Sequence, residues 1–420
     1  MVTGGLGAVY WWVAAHAFLP ADVGSASASI AATILLGAIS LFGTGTLLIG
    51  ELAGSSPIER CRLVVTALSV SMLAGAVLGI GFALGAPFVA PELSLFSGGP
   101  WPVALFATTV SLSAAGLVVD HALIGLLRGD VQLVRNVVLA VAKLVALIGV
   151  TRLPSVSGAL GIYLSIFVST LVSFLSVVHL AGFGRFPIHA YRPQWALLHR
   201  LGRTALQHHV LNLSLQVPSL VMPLLVTVLL SATLNAYFYV ASMFSSLVFL
   251  VPTALSTVLY AAGSHDPTTF ARKIRLTMGL SVAAGIVANL FLLFAAEPLL
   301  AVFGRAYAQE VVVVLQLLVF AVFPGMIKTH FVAVCQTHRQ VPRAAILTVA
   351  GAVFELVAAS IGARLGGLEG FTLGYVLALS LEAVVTLPVV IGALAPGRIA
   401  RATNGWLVVS VGSNARRDRA

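Results

Sequence analysis

The chain has 420 residues, 59% hydrophobic and only 9% charged, with a formal net charge of +10. A mean hydropathy of +1.06 and a charged fraction far below the roughly 25% of soluble domains exclude a water-soluble globular protein. An integral membrane protein remains, so the basic balance has to be judged by where the charges fall, not taken as a sign of nucleic-acid binding.

Apolar runs long enough to cross a bilayer, about 20 residues each, fall roughly at 4–19, 23–49, 63–90, 102–127, 131–151, 159–181, 204–231, 236–262, 274–296, 311–337, 344–363 and 371–394. They predict an all-α polytopic membrane protein of about twelve transmembrane helices. The first run starts almost at Met1 with no basic segment before it and no small-residue cleavage site after it. It is expected to be a helix and not a signal peptide, either abbreviated or preceded by a start further upstream.

With the N-terminus inside, Arg60, Arg62, Arg128, Arg185, Arg192, Arg200, Arg203, Arg272, Lys273, Arg275, Arg339 and Arg343 fall in inside loops. The tail adds Arg398, Arg401, Arg416, Arg417 and Arg419, while outside loops keep only Arg152, Arg305 and Arg364. This bias puts both termini in the cytoplasm and the chain in the cytoplasmic (inner) membrane, and it explains the basic charge without nucleic acid. Cys61 and Cys335 both fall on the cytoplasmic side, so no disulfide is expected, and no metal-ligand spacing exists. The sequon at Asn212-Leu213-Ser214 lies inside a span and has no glycosylation meaning.

The chain matches itself at an offset of about 210 residues. "IERCRL" (58–63) falls on "ARKIRL" (271–276), the turn of Asp22 on that of Asn235, and Ala28 on Ala241. "GALGIYL" (158–164) falls on "GLEGFTL" (367–373), and "RGDVQ" near "HRQVP". A repeat of six spans inserts both halves the same way up, which implies a pseudo-two-fold axis along the membrane normal and a substrate path between the lobes near the midplane. The expected division is an N-terminal lobe at 1–181, a basic cytoplasmic linker at 182–203, a C-terminal lobe at 204–395 and a basic tail at 396–420. The linker is either a loop or an interfacial helix.

Polar groups inside the spans are the candidate functional residues. In the fifth span, "RNVVLAVAKLVALIG", Lys143 comes roughly 18 Å from the cytoplasmic start at 1.5 Å per residue, too deep for its stem to reach the interface. It either lines a cavity or pairs with Asp120, and Asn136 shares its face. Arg135 is shallower and is expected to snorkel, with a cavity role as the alternative. Gly75-x-x-x-Gly79 and Gly81-x-x-x-Gly85 in the third span predict close helix packing. The seventh span carries a polar stripe, Thr204, His208, Asn212, Gln216 and Ser219, with bend points at Pro218 and Pro223. Lipid tails satisfy none of these groups, so the stripe either lines a watery path or makes interhelical hydrogen bonds. Lys328, after Pro324-Gly325 in the tenth span, either lines the cavity or snorkels. Glu355 and Glu382 sit near the middle of the last two spans. With Asn212 they form a possible site for Na⁺ or H⁺, or else they pair with Lys328 or stay neutral.

No G-x-x-x-x-G-K-[ST] phosphate loop and no soluble catalytic segment is present, so an enzyme is not expected and no cofactor is implied beyond a coupling ion. "YWWVAAHAFLPADVGSASA" (10–28), "LNAYFYVASMFSSLVFLVPTALSTVLY" (234–260), "FGRAYAQEVVVVLQLL" (303–318) and "GLEGFTLGYVLALSLEA" (367–383) complete the picture. With these segments the chain resembles the multidrug/oligosaccharidyl-lipid/polysaccharide exporter superfamily, and within it the polysaccharide-biosynthesis flippases of the O-antigen transporter type. The resemblance implies a MATE-like fold and alternating-access flipping of a polyprenyl-diphosphate-linked, anionic oligosaccharide, with membrane lipids and polysaccharide polymerase or glycosyltransferase machinery as partners. It also implies that Lys143, Arg135 and Lys328 attract the anionic headgroup, and that a cation site lies among the helices of Asn212, Glu355 and Glu382. The second expectation is a cation-coupled drug antiporter of the same superfamily.

Overall fold

Proline and glycine set where the helices begin. Pro20, Pro57 and Pro100 open their helices, where a missing N–H costs nothing. Ser56 adds a side-chain cap, accepting from the Glu59 amide at 3.4 Å. The computed structural model describes residues 2–91, 93, 99–153, 158–180, 191–195, 203–265 and 269–394. The expected tail, and all of the linker except 191–195 and Arg203, lie outside the described residues. Within 191–195, the Gln194 amide donates to Thr66 Oγ1 at 2.9 Å, tying that segment to the N-terminal half.

The described residues form α1 (Val2–Ala17), α2 (Pro20–Ile39), α3 (Thr44–Glu51), α4 (Pro57–Val89), α5 (Pro100–Gly125), α6 (Gly129–Val150) and α7 (Gly158–Leu180). The second half holds α8 (Arg203–Leu229), α9 (Ala232–His265), α10 (Phe270–Ala301), α11 (Arg305–Phe320), α12 (Val322–Thr337) and α13 (Val341–Leu394). Ten stretches are long and apolar enough to cross a membrane, counting α11–α12 as one and α13 as one. The 54 residues of α13 are two helices, because φ/ψ leaves the helical region at Gly366 (−149°, 31°) and Gly367 (58°, −139°). The arms fold back antiparallel: a Cβ on Gly362 would overlap the Gly370 carbonyl, one on Gly370 the Gly362 carbonyl, and one on Gly374 the Ala358 carbonyl. With the short α1, these arms account for the twelve crossings expected.

The second span is also interrupted. Phe42 (φ 45°) and Gly43 (φ 87°) are left-handed and separate α2 from α3. Gly43 tolerates this freely, and it also lies against the Ala205 carbonyl, 3.3 Å from where its Cβ would be. On α4, Gly75 and Gly79 pack α5 closely, their built Cβ positions falling 3.1 Å from Ser111 Cα and 2.8 Å from Ala107 Cα. Gly81 and Gly85 face open space instead, so only half of the predicted glycine packing forms.

Backbone geometry carries the repeat further than the sequence matches do. Left-handed residues recur at equivalent turns: Gly99 with Gly304 before the fourth span, Leu127 with Arg339 after it, and Gly158 with Gly367 before the sixth. The fourth span of each half ends in the same motif, with Arg128 N bonded to Leu123 O at 2.8 Å and Gln340 N to Cys335 O at 2.7 Å. Exposure is inverted relative to a soluble protein. Leu276, Val287, Leu290, Phe291 and Phe294 on α10 face outward into what is lipid in a bilayer, while α2 and α5 are largely buried.

The two lobes meet along α2, α8 and α9. At the end of the bundle opposite the basic loops, the Asn235 amide donates to Gly24 O at 2.8 Å and to Ser27 Oγ at 3.0 Å. Beside it, Gly24 touches the Ala232 backbone, the Trp11 and Tyr239 rings lie 4.5 Å apart, and Trp12 Nε1 donates to Val302 O at 3.0 Å. At the basic end, α3 meets the start of α8 at Gly43 and Ala205.

Candidate substrate cavity and ion-pair cluster

Between these two contacts lies a cavity of about 610 Å³. Asn212, Gln216 and Ser219 of α8 line one wall, Ser242, Ser245, Ser246 and Thr253 of α9 another, and Thr329 of α12 a third. Phe238, Phe249 and Tyr375 supply apolar faces, and His121 of α5 is contributed by the N-terminal lobe. The predicted stripe is therefore split. Asn212, Gln216 and Ser219 are exposed to the cavity, and two of them close hydrogen bonds along their own helix, Gln216 Nε2 to Asn212 O at 3.1 Å and Ser219 Oγ to Gln216 O at 2.9 Å. His208 is half-buried and does not line it, and the side chain of Thr204 lies outside the described residues.

The three cations expected to act together are separated. Arg135 does not snorkel: its guanidinium is buried on Asp120 of α5, beside Gly116, whose lack of a side chain leaves room for it. Gln132 Nε2 approaches the same carboxylate at 3.5 Å. Asp120 is thus taken by Arg135 and is not the partner of Lys143. Lys143 instead holds its Nζ 4.4 Å from the centre of the Tyr10 ring, a cation–π contact. Tyr10 is fully buried, its hydroxyl bonded to Ser165 Oγ at 2.8 Å and to Ile162 O at 3.2 Å. Neither Lys143 nor the half-buried Asn136 lines the cavity.

Lys328 does line it, and is not free. Its Nζ donates to Glu355 Oε1 at 2.7 Å and to Glu382 Oε2 at 2.9 Å. The α13 hairpin brings the two acids to one place from opposite arms, and Gly351 makes room, since a Cβ there would strike the Glu382 carboxyl. Of the lining and snorkelling readings for Lys328, lining describes its place, and of the readings for the two acids, pairing with Lys328 describes their contacts. The residue that sequence reasoning passed over is Asn235, buried in the seam between lobes. Its alignment with Asp22, whose Oδ1 accepts from the Ala159 amide at 3.2 Å, was the available signal.

No family model and no curated protein matches the sequence. The fold does match solved structures. An inward-facing multidrug resistance MATE family transporter of the MOP superfamily aligns with a TM-score of 0.77 at 15% identity, over 96% of this chain and 96% of that one. An outward-facing structure described in the same terms aligns at 0.61 and 14%, over 96% and 94%. The lipid II flippase MurJ, in an inward closed conformation, aligns at 0.67 and 13%, over 94% and 89%. The chain is a polytopic membrane protein with the two-lobed fold of these MOP-superfamily transporters.

Proposed function

We propose that the protein is a transporter that moves a lipid-linked anionic oligosaccharide from the cytoplasmic to the outer leaflet by alternating access, with its basic end in the cytoplasm. The observation that carries this reading is the chemistry of the cavity wall. Two amides and a series of hydroxyls face a space within the usual range for ligand pockets, about 300–1,000 Å³, and uncharged hydrogen-bonding groups are what a polyhydroxylated headgroup needs. A cationic drug needs an acid free to meet it, whereas the lining acid, Glu355, is already bonded to Lys328. That contact disfavours the drug antiporter, which remains the second reading. The lobe boundaries at 1–181 and 204–395 belong to the same proposal, as does cooperation with polysaccharide polymerase or glycosyltransferase machinery.

The test is the pool of polyprenyl-diphosphate-linked sugars in cells lacking the gene. One glycolipid should accumulate and clear on return of the wild-type gene, but not of the double substitution Asn212→Leu/Gln216→Leu. An unchanged pool in a strain with no redundant flippase, together with restored drug resistance in a pump-deficient host, supports the antiporter instead.

A further inference from the structure

Lys328, Glu355 and Glu382 form a cluster whose charges do not cancel. The side chains are 8%, 1% and 7% exposed, so bulk water screens none of them. One ammonium and two carboxylates leave one negative charge over, and an uncompensated buried charge is strongly disfavoured. One atom marks where the imbalance falls: Glu382 Oε1 is buried and has no hydrogen-bond partner. The two carboxyl groups lie side by side, each bonded to the same ammonium. A single proton on this pair removes the excess charge, as expected where two acids share a site.

We infer that the cluster is a proton site in which Lys328 is a tethered cation, seated between the carboxyls where a metal ion would bind, and Glu355 and Glu382 together hold one exchangeable proton. The ammonium already takes one oxygen of each acid, so a sodium ion meets too few free oxygens there. Exchange has a route, because Lys328 and Glu355 both line the cavity. The step makes and breaks only a carboxyl O–H bond, with water in the cavity as donor and acceptor. Other titratable groups on the surrounding helices are few. Tyr375 lies near both acids on α13, and His121 of α5 lines the cavity. His208 and His209 lie on α8, and His330 of α12 turns away to Met326 O and Thr277 Oγ1. The inference deepens the transport reading by naming its coupling ion, but it stands on the cluster alone and survives a different cargo.

The experiment uses the purified full-length protein in detergent and needs no substrate. Infrared spectra at neutral pH should contain a protonated-carboxyl carbonyl band that titrates reversibly and is lost in Glu382→Gln, which keeps the Lys328–Glu355 pair intact. Replacing choline by Na⁺ at constant ionic strength should leave the wild-type melting temperature unchanged. Lys328→Met, which vacates the cation position, should gain a saturable Na⁺-dependent rise. Absence of the band overturns the proposal, and so does a saturable Na⁺ shift in the wild type that Glu382→Gln abolishes. If Lys328→Met does not fold, the wild-type band and its loss in Glu382→Gln decide alone.

Discussion

Arg135, Lys143 and Lys328 look alike in sequence, three cations in apolar helices, yet each resolves its cost differently. Arg135 is neutralised by Asp120, Lys143 rests on an aromatic face, and Lys328 is shared by two acids. Depth was legible from counting residues, but the partner was not. Whether Asp120 meets Arg135 or Lys143 depends on the rotation of α5 against α6, and no single-helix periodicity fixes that angle. The difference is measurable. Asp120→Asn strands a buried guanidinium and should cost about 3 kcal/mol, the low end for breaking a buried pair, because Asp120 is 23% exposed. Lys143→Met loses only a cation–π contact, about 0.5–2 kcal/mol, and should leave transport intact because Lys143 lies off the cavity wall. Thermal unfolding in detergent, together with clearance of the accumulated glycolipid, checks both. Lost clearance in a folded Lys143→Met protein would return Lys143 to the transport path.

At the scale of elements, the span count was legible because lipid demands long apolar runs, and the exceptions fall where a run hides a break. The sequence reads 23–49 as one span, and nothing in its hydropathy marks the left-handed pair Phe42 and Gly43 that divides α2 from α3. The glycines of α13 were more informative than their composition suggests. Gly362, Gly370 and Gly374 are needed because the facing backbone lies where a Cβ would go, while Gly366 meets nothing within 4 Å and has a φ of −149°, outside the left-handed region that favours glycine. Gly362→Ala should therefore destabilise by about 1–3 kcal/mol through overpacking, and Gly366→Ala should be close to neutral. Equal losses at the two positions would mean that the arms of α13 are not packed as described, and with them the meeting of Glu355 and Glu382.

For the whole molecule, the repeat predicted two lobes and the backbone turns repeat accordingly, but the seam between lobes breaks the symmetry. Asp22 serves its own lobe, bonding the start of α7, whereas its counterpart Asn235 reaches across to Gly24 and Ser27 of the other lobe. Two residues in equivalent turns thus divide the work, one fixing a lobe and the other holding the lobes together. A self-alignment reveals that the positions correspond, but not that one has changed partners, because the partner lies some 210 residues away. The proposed alternating access requires this seam to open. Asn235→Leu removes both cross-lobe hydrogen bonds, while the Gly24 carbonyl keeps its bond from Ser27 Oγ at 2.9 Å, so at about 1 kcal/mol per bond the closed seam should weaken by about 2 kcal/mol. At about 1.4 kcal/mol per factor of ten, that shifts the balance towards the open form by roughly 30-fold. Spin labels at Leu19 and Leu365, which are 71% and 84% exposed at that end of the two lobes, report it directly. The substitution should move population to longer distances while the spacing within each lobe stays constant. An unchanged distribution in the folded variant would assign the seam to the apolar contacts of Trp11, Tyr239 and Ala232, and leave Asn235 no part in gating.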